Sequence, residues 1–256
     1  MMNNANLNVI TVKDIKKKFK VFHDKTYSLK EKLLFKKRRR NYEERWVLNG
    51  VSFEVQRGES LGIIGENGCG KSTLLKLLTQ IIYPNSGTVK IKGRVSSLIE
   101  LGAGFHPDMS GRENIYNNAA IFGLNKGAIS ARLDKIIAFS ELEQFIDNPI
   151  RTYSSGMYMR LAFAVAINVD ADVLLIDEIL AVGDTNFQAK CFDKLCELKN
   201  LGMTIAIVTH DVETIKNFCT KSIWLQDGKI QIMGPPLETV DAYLNFMDMK
   251  KRSNSN

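Results

Sequence analysis

One short stretch constrains this chain more than any other. Gly65-Glu66-Asn67-Gly68-Cys69-Gly70-Lys71-Ser72-Thr73 fits the pattern G-x-x-x-x-G-K-[ST]. It stands between a stretch at 60–64 that reads as a buried strand and an apolar-periodic run at 72–82. A buried strand, a glycine-rich loop and a helix in that order form a cradle for phosphate. The glycines let the backbone turn tightly with its N–H groups pointing inward, and the helix adds its positive N-terminal end. In such a cradle Lys71 sets a point charge against β/γ-phosphates, and the Ser72 hydroxyl suits Mg²⁺. Cys69, between two glycines and close to a helix start, is expected to face the nucleotide with its thiolate favoured.

The rest of the pattern is α/β. A second apolar run, 173–176, ends in Asp177-Glu178. A strand ending in acids puts Asp177 at the carboxyl edge of a sheet, where it can hold Mg²⁺, and Glu178 is suited to act as a general base on water. Residues 51–55, 89–92, 95–100 and 204–208 read as further strands, and 112–168 as a largely helical region. Asp227-Gly228 between apolar flanks predicts a hairpin over 223–232. We expect one domain over 1–248, with a polar, disordered tail at 249–256.

The order of the remaining motifs resembles the ABC ATPases. Tyr153-Ser154-Ser155-Gly156-Met157 is similar to that family's L-S-G-G-Q signature: it keeps the informative Ser154 and Gly156 but departs at Tyr153, Ser155 and Met157. Ala181-Val182-Gly183-Asp184 resembles the D-loop, and Val208-Thr209-His210-Asp211 the switch, with His210 reaching the γ-phosphate. The resemblance covers about residues 45–235. It implies an ABC-type P-loop NTPase fold: a mixed sheet core, a helical subdomain at about 112–168 and an antiparallel β region. It also implies ATP and Mg²⁺ as ligands, and catalysis by Lys71, Glu178 and His210. Nucleotide contacts are implied for 65–73 and Asp184, and metal contacts for Ser72 and Asp177. Each motif occurs once, and in this family the signature meets the phosphate loop only across a dimer, so a second copy of the chain is an expected partner. The family's adenine-stacking aromatic, about 29 residues before Lys71, lands on Tyr42, with Trp46 as the runner-up. The family's Mg²⁺-facing Gln has no counterpart in 97–114. It falls near Leu101, beside Glu100, and no metal role is assigned there.

Charge narrows the subgroup. The net charge is +7, yet residues 13–45 carry fourteen basic side chains against five acidic ones, so the remainder is slightly acidic. In 27–40, Leu29, Leu33, Leu34 and Phe35 sit among Lys30, Lys32 and 36–40, a basic amphipathic piece suited to an anionic membrane surface or a pyrophosphate lipid head group. A solvated loop and a nucleic-acid patch are its other readings. With E-L-G-A-G-F-H-P and D-E-I-L-A-V-G-D, this insert makes the chain similar to ATPases of bacterial polysaccharide exporters. The resemblance implies a permease subunit pair and a lipid-linked polysaccharide as partners. No nucleic acid is expected, although a soluble ABC ATPase acting on nucleic acid or ribosomes is the alternative. Some members carry a C-terminal carbohydrate-binding domain, and none is expected within these 256 residues. No 20-residue apolar run or leader is legible, so the chain is expected on the cytoplasmic face of the membrane, held there by the permease. Cys191, Cys196 and Cys219 read as reduced, small apolar residues.

Overall fold

The computed structural model describes residues 7–22, 42–99, 101–177 and 183–254. The basic segment 27–40, Glu100 and Glu178 lie outside these. Two sheets clasp one helix. Strands β1 (Asn8–Phe22), β2 (Tyr42–Gln56) and β4 (Ser86–Ile91) form an antiparallel sheet in the order β2-β1-β4. A six-stranded sheet is built from β3 (Ser60–Ile64), β5 (Val95–Ser97), β6 (Val173–Asp177), β7 (Thr204–Val208), β8 (Lys221–Gln226) and β9 (Lys229–Gly234). Its order is β5-β6-β7-β3-β8-β9, parallel except where β9 runs against β8.

Helix α1 (Lys71–Leu78) lies between the sheets. Its Leu74, Leu75, Leu77 and Leu78 share one core with Ile10, Val12 and Ile15 of β1, Val51, Phe53 and Val55 of β2, and the large sheet. The alternation of a strand explains the layering. Val173 and Leu175 face α1, while Leu174 and Ile176 face a second core on the opposite side. That second core is completed by α5 (Ser155–Ile167), α6 (Thr185–Asn200), α7 (Val212–Phe218) and α8 (Pro236–Asn254). β3 and β7 are buried at every residue, including the Ser60 and Thr204 that open them, as expected for parallel central strands. Helices α2 (Gly111–Ile121), α3 (Lys126–Ser130) and α4 (Leu133–Ser140) pack with α5 round a third core of Ile115, Ile136, Ile146 and Leu161. Phe139, Phe163 and Phe187 join this helical part to the second core, at ring separations of 5.7–6.4 Å.

Three elements depart from the sequence reading. The fifteen-residue β1 was not expected, because its second half, I-K-K-K-F-K-V-F, lacks the alternation of a half-buried strand. Only the first half packs on the core, and the rest extends as an exposed two-stranded ribbon with β2. A bulge at Asp14 (φ 45°) falls where the pairing slips between Val12 and Ile15. Helix α1 stops at Leu78 rather than Ile82: the Thr79 hydroxyl bonds back to the Leu75 carbonyl and Gln80 turns into the left-handed region. The tail expected to be disordered from 249 instead continues α8 to Asn254. Lys251 and Arg252 in its last turn suit the negative helix end, and Lys250 is held by an ion pair to Glu66.

Cys69 also departs from expectation. Its sulfur turns inward: a Cβ on Gly65 would meet it at 2.8 Å, and the residue belongs to the α1 core. Burial pushes the thiol above its ordinary value, against the opposing pull of the Lys71 charge, so the thiolate is disfavoured. Burial likewise pushes Cys191 and Cys219 up to about 12.

Two outcomes follow. Phe163→Ala is expected to lose about 3–5 kcal/mol in urea unfolding, because it empties the junction between the helical part and the second core. At pH 7.5 a thiol reagent should modify half-buried Cys196 first, and Cys69, Cys191 and Cys219 only as the protein unfolds. Native-state labelling of Cys69 as fast as Cys196 would contradict this burial.

Candidate nucleotide-binding site

The phosphate loop is shaped by what presses on it. A Cβ at Gly65 (φ 155°) would stand 2.1 Å from the Leu225 carbonyl oxygen of β8. One at Gly70 (φ 112°) would stand 2.8 Å from a Leu48 methyl and 2.9 Å from the Val47 carbonyl of β2. These positions exclude a side chain by space as well as by backbone angle. Gly70 caps α1, so the loop feeds directly into a helix N-terminus. The Lys71 side chain folds back beneath the loop: the residue is 7 % exposed, and Nζ donates to the carbonyls of Gly65 (2.7 Å) and Glu66 (3.1 Å). An ammonium buried this far needs such partners, because its desolvation is otherwise uncompensated. Gly68 (φ 81°) lies in the turn itself, and Ser72 is exposed in the first turn of α1, followed by half-buried Thr73.

The sheet order puts the other groups at the same edge. Asp177 ends β6 and His210 follows the end of β7, both at the carboxyl edge from which the phosphate loop leaves β3. β7 lies between β6 and β3. Asp177 is therefore one strand further from the loop than a direct neighbour, a sideways offset of roughly 10 Å at the usual strand spacing. That gap leaves room for a hydrated ion. Among the described residues no cluster of three or more His, Cys, Asp or Glu forms a ready metal cage. The donors present, one hydroxyl and one carboxylate, suit an ion that keeps water and takes phosphate oxygens. His210 is exposed, in a turn fixed by a bond from the Asp211 N–H to the Thr209 hydroxyl (3.0 Å) and by Asp211 capping α7.

The signature residues stand apart from this edge. Ser154 caps α5 by accepting from the Met157 N–H (3.2 Å), which leaves an exposed helix N-terminus with Gly156 in its first turn. Among the described residues no hydrogen bond links Ser154 to 65–73. Asp184 is anchored within its own chain. It caps α6 through the Phe187 N–H (3.0 Å) and pairs with Arg160 of α5, and in that order these contacts hold its carboxyl below the ordinary range. Arg160 also reaches Glu141 (2.7 Å), which Lys190 of α6 grips at 2.8 Å. The sequence reading missed Arg160 and Lys190: Arg160 lay in the predicted helical region, and no helix was expected over 185–200, where Lys190 sits. It also missed Tyr158, whose hydroxyl donates to the Gly102 carbonyl (3.0 Å) and ties α5 to the segment that lacks the family's Gln.

The two candidate adenine aromatics are unequally placed. Trp46 precedes Val47, whose carbonyl lies against Gly70, whereas Tyr42 is four residues further out along the ribbon, about 13 Å at strand rise. Tyr42 packs on Phe22 (5.9 Å) and under the Lys20 ammonium (4.4 Å), and Trp46 lies under Lys18 (5.2 Å).

Comparison with known proteins agrees with this geometry. The ABC transporter family matches residues 48–181. The chain is 41 % identical over 245 residues to the O-antigen export system ATP-binding protein RfbB of Klebsiella pneumoniae, covering 93 % of this chain and 98 % of that one. It is 53 % identical over 197 residues to RfbB of Myxococcus xanthus, but spans only 45 % of that longer protein. Against the teichoic acids export ATP-binding protein TagH of Lactococcus lactis it is 40 % identical over 249 residues, 53 % of that relative's length. Among solved structures, an ATP-binding subunit of an ABC transporter (TM-score 0.71, 22 % identity, 89 % of this chain and 90 % of that one) and a dimeric ATP-binding cassette bound to ADP and Pi (0.71, 20 %, 89 % and 98 %) share the fold. Phosphate loop, strand-end acid, capped signature helix and close relatives agree: this chain belongs to the ABC transporter family, as one of its ATP-binding cassettes.

Proposed function

We propose that the chain is the ATP-hydrolysing subunit of an exporter that moves a lipid-linked polysaccharide of O-antigen, teichoic acid or capsule type across the cytoplasmic membrane. It works as a pair of copies on the cytoplasmic face of a permease. The observation that carries the chemistry is Lys71, an ammonium held under a glycine loop at a helix N-terminus. The substrate class is supported by relatives named for O-antigen and teichoic acid export. Among the described residues no helix is long and apolar enough to cross a membrane.

Each group has a role in this reading. Loop N–H groups of 65–73 and Lys71 neutralise the β/γ-phosphates. Ser72 and Asp177 would hold Mg²⁺, which when bound would draw charge from the phosphate oxygens. Glu178 takes a proton from the attacking water, and His210 donates toward the γ-phosphate. The exposed α5 N-terminus of a second copy, with its Ser154 and Gly156, supplies the positive end that a terminal phosphate needs, which its own chain's signature does not bring to the loop. Asp184, fixed by Arg160, keeps α6 in register with that helix. Trp46 is the better adenine platform, supported by the contact of Val47 with Gly70, and this revises the first choice of Tyr42.

Two measurements test this. Glu178→Gln should slow hydrolysis by about 10²–10⁴-fold and let ATP trap a dimer in size-exclusion chromatography. Cells with that variant in place of the wild type should lose surface glycan and hold the lipid-linked precursor inside. Intact surface glycan at normal protein level would end the export reading. Trp46→Ala should raise the ATP KM by about tenfold, and Tyr42→Ala by much less. The reverse order would return the platform to Tyr42.

A further inference from the structure

One charged side chain from the far end of the sequence enters the nucleotide edge, and the motifs do not account for it. Lys250, in the last turns of α8, donates to both carboxylate oxygens of Glu66, at 2.6 and 2.9 Å. Glu66 is the second residue of the phosphate loop. Gln226 of β8 donates to the same carboxylate at 2.9 Å. The Glu66 main chain is in turn one of the two carbonyls that hold the Lys71 ammonium. A single residue thus has its side chain gripped by α8 and its backbone gripping the lysine that meets phosphate.

Packing fixes this arrangement. Val240, Tyr243, Phe246 and Lys250 recur at helical spacing, so they share one face of α8. Val240 is fully buried, and the rings of Tyr243 and Phe246 lie 6.0 and 5.2 Å from that of Trp224. Trp224 and Gln226 are two apart on β8 and so point to one side. A helix seated on Trp224 therefore delivers Lys250 opposite Gln226 and Glu66. The electrostatics point the same way. Bonds from Lys250, then Gln226, hold the Glu66 carboxyl below its ordinary range, so it is ionised in the loop that takes a triphosphate. Without Lys250 that negative charge would oppose the ligand.

We infer that Lys250 is a positioning residue for the phosphate loop: by neutralising and orienting Glu66 it sets how tightly the loop takes ATP, and it couples the seating of α8 to nucleotide affinity. This rests on the nucleotide-binding reading above. The pair is partly exposed, 44 % at Lys250 and 21 % at Glu66, so its effect is modest.

The test is a cycle in the full chain, with ATP KM, kcat and binding of a fluorescent ATP analogue measured for each protein. Lys250→Met should raise KM and the analogue's Kd about fivefold with kcat within about twofold, and Lys250→Arg should stay near wild type. In a Glu66→Gln background, adding Lys250→Met should change neither constant further. Unchanged affinity in Lys250→Met overturns the inference. So does an equal loss in the Glu66→Gln background, which would assign the effect to α8 docking rather than to the pair. A wild-type protein that fails to bind the analogue would instead bring down the nucleotide-binding reading, and this inference with it.

Discussion

A lysine held almost out of water beneath a loop of backbone is the constraint on which the rest of this structure depends. The Lys71 ammonium is stable there only because the carbonyls of Gly65 and Glu66 face it. Those carbonyls face it only because the loop turns through backbone angles that Gly65 and Gly70 allow. The loop in turn holds its shape because β2 presses on Gly70 and β8 on Gly65. The two sheets are thus not merely a scaffold. Each supplies one wall of the loop, and α1 between them carries the apolar load that keeps the walls together.

That dependence explains why the site is assembled from distant pieces. The carboxyl edge of the large sheet gathers Asp177, His210 and the phosphate loop from strands that are neighbours in space but far apart in sequence. The signature helix α5 takes no part in this edge. Its N-terminus is exposed, and it is tied to α6 by Arg160, Asp184, Glu141 and Lys190. On the proposed reading that network matters because the helical part must travel as one piece when a second copy brings its signature to a bound nucleotide. Arg160 also stands 4.8 Å over the Phe187 ring, so the charged network rests on the aromatic junction that joins the helical part to the sheet.

Several features of the chain were legible without a structure because each is contained in one short segment. Ser60–Ile64, apolar after its first residue, becomes a fully buried strand. Asp227-Gly228 has the composition of a tight hairpin turn and takes positive φ at both positions, 48° and 70°. Ser154, read from its place in the signature, also caps the helix that the signature opens. Strand β1 was missed because its outer half is exposed on a ribbon, so its lysines obey no core. The continuation of α8 through 249–254 was missed because these residues read as a polar tail, and what holds them is an ion pair to a residue 184 positions away.

By itself, then, the sequence determined the loop, the strand-end acids, the hairpin and the order of motifs that marks the family, since spacing within one element fixes local backbone and chemistry together. Only the tertiary structure decided which way each side chain of that loop faces. Cys69 goes into the core, the Val47 carbonyl presses on Gly70, β7 separates Asp177 from β3, and Lys250 meets Glu66. These outcomes follow from which surfaces of distant elements are buried against one another, and burial is settled by packing across the whole domain rather than by any stretch read alone.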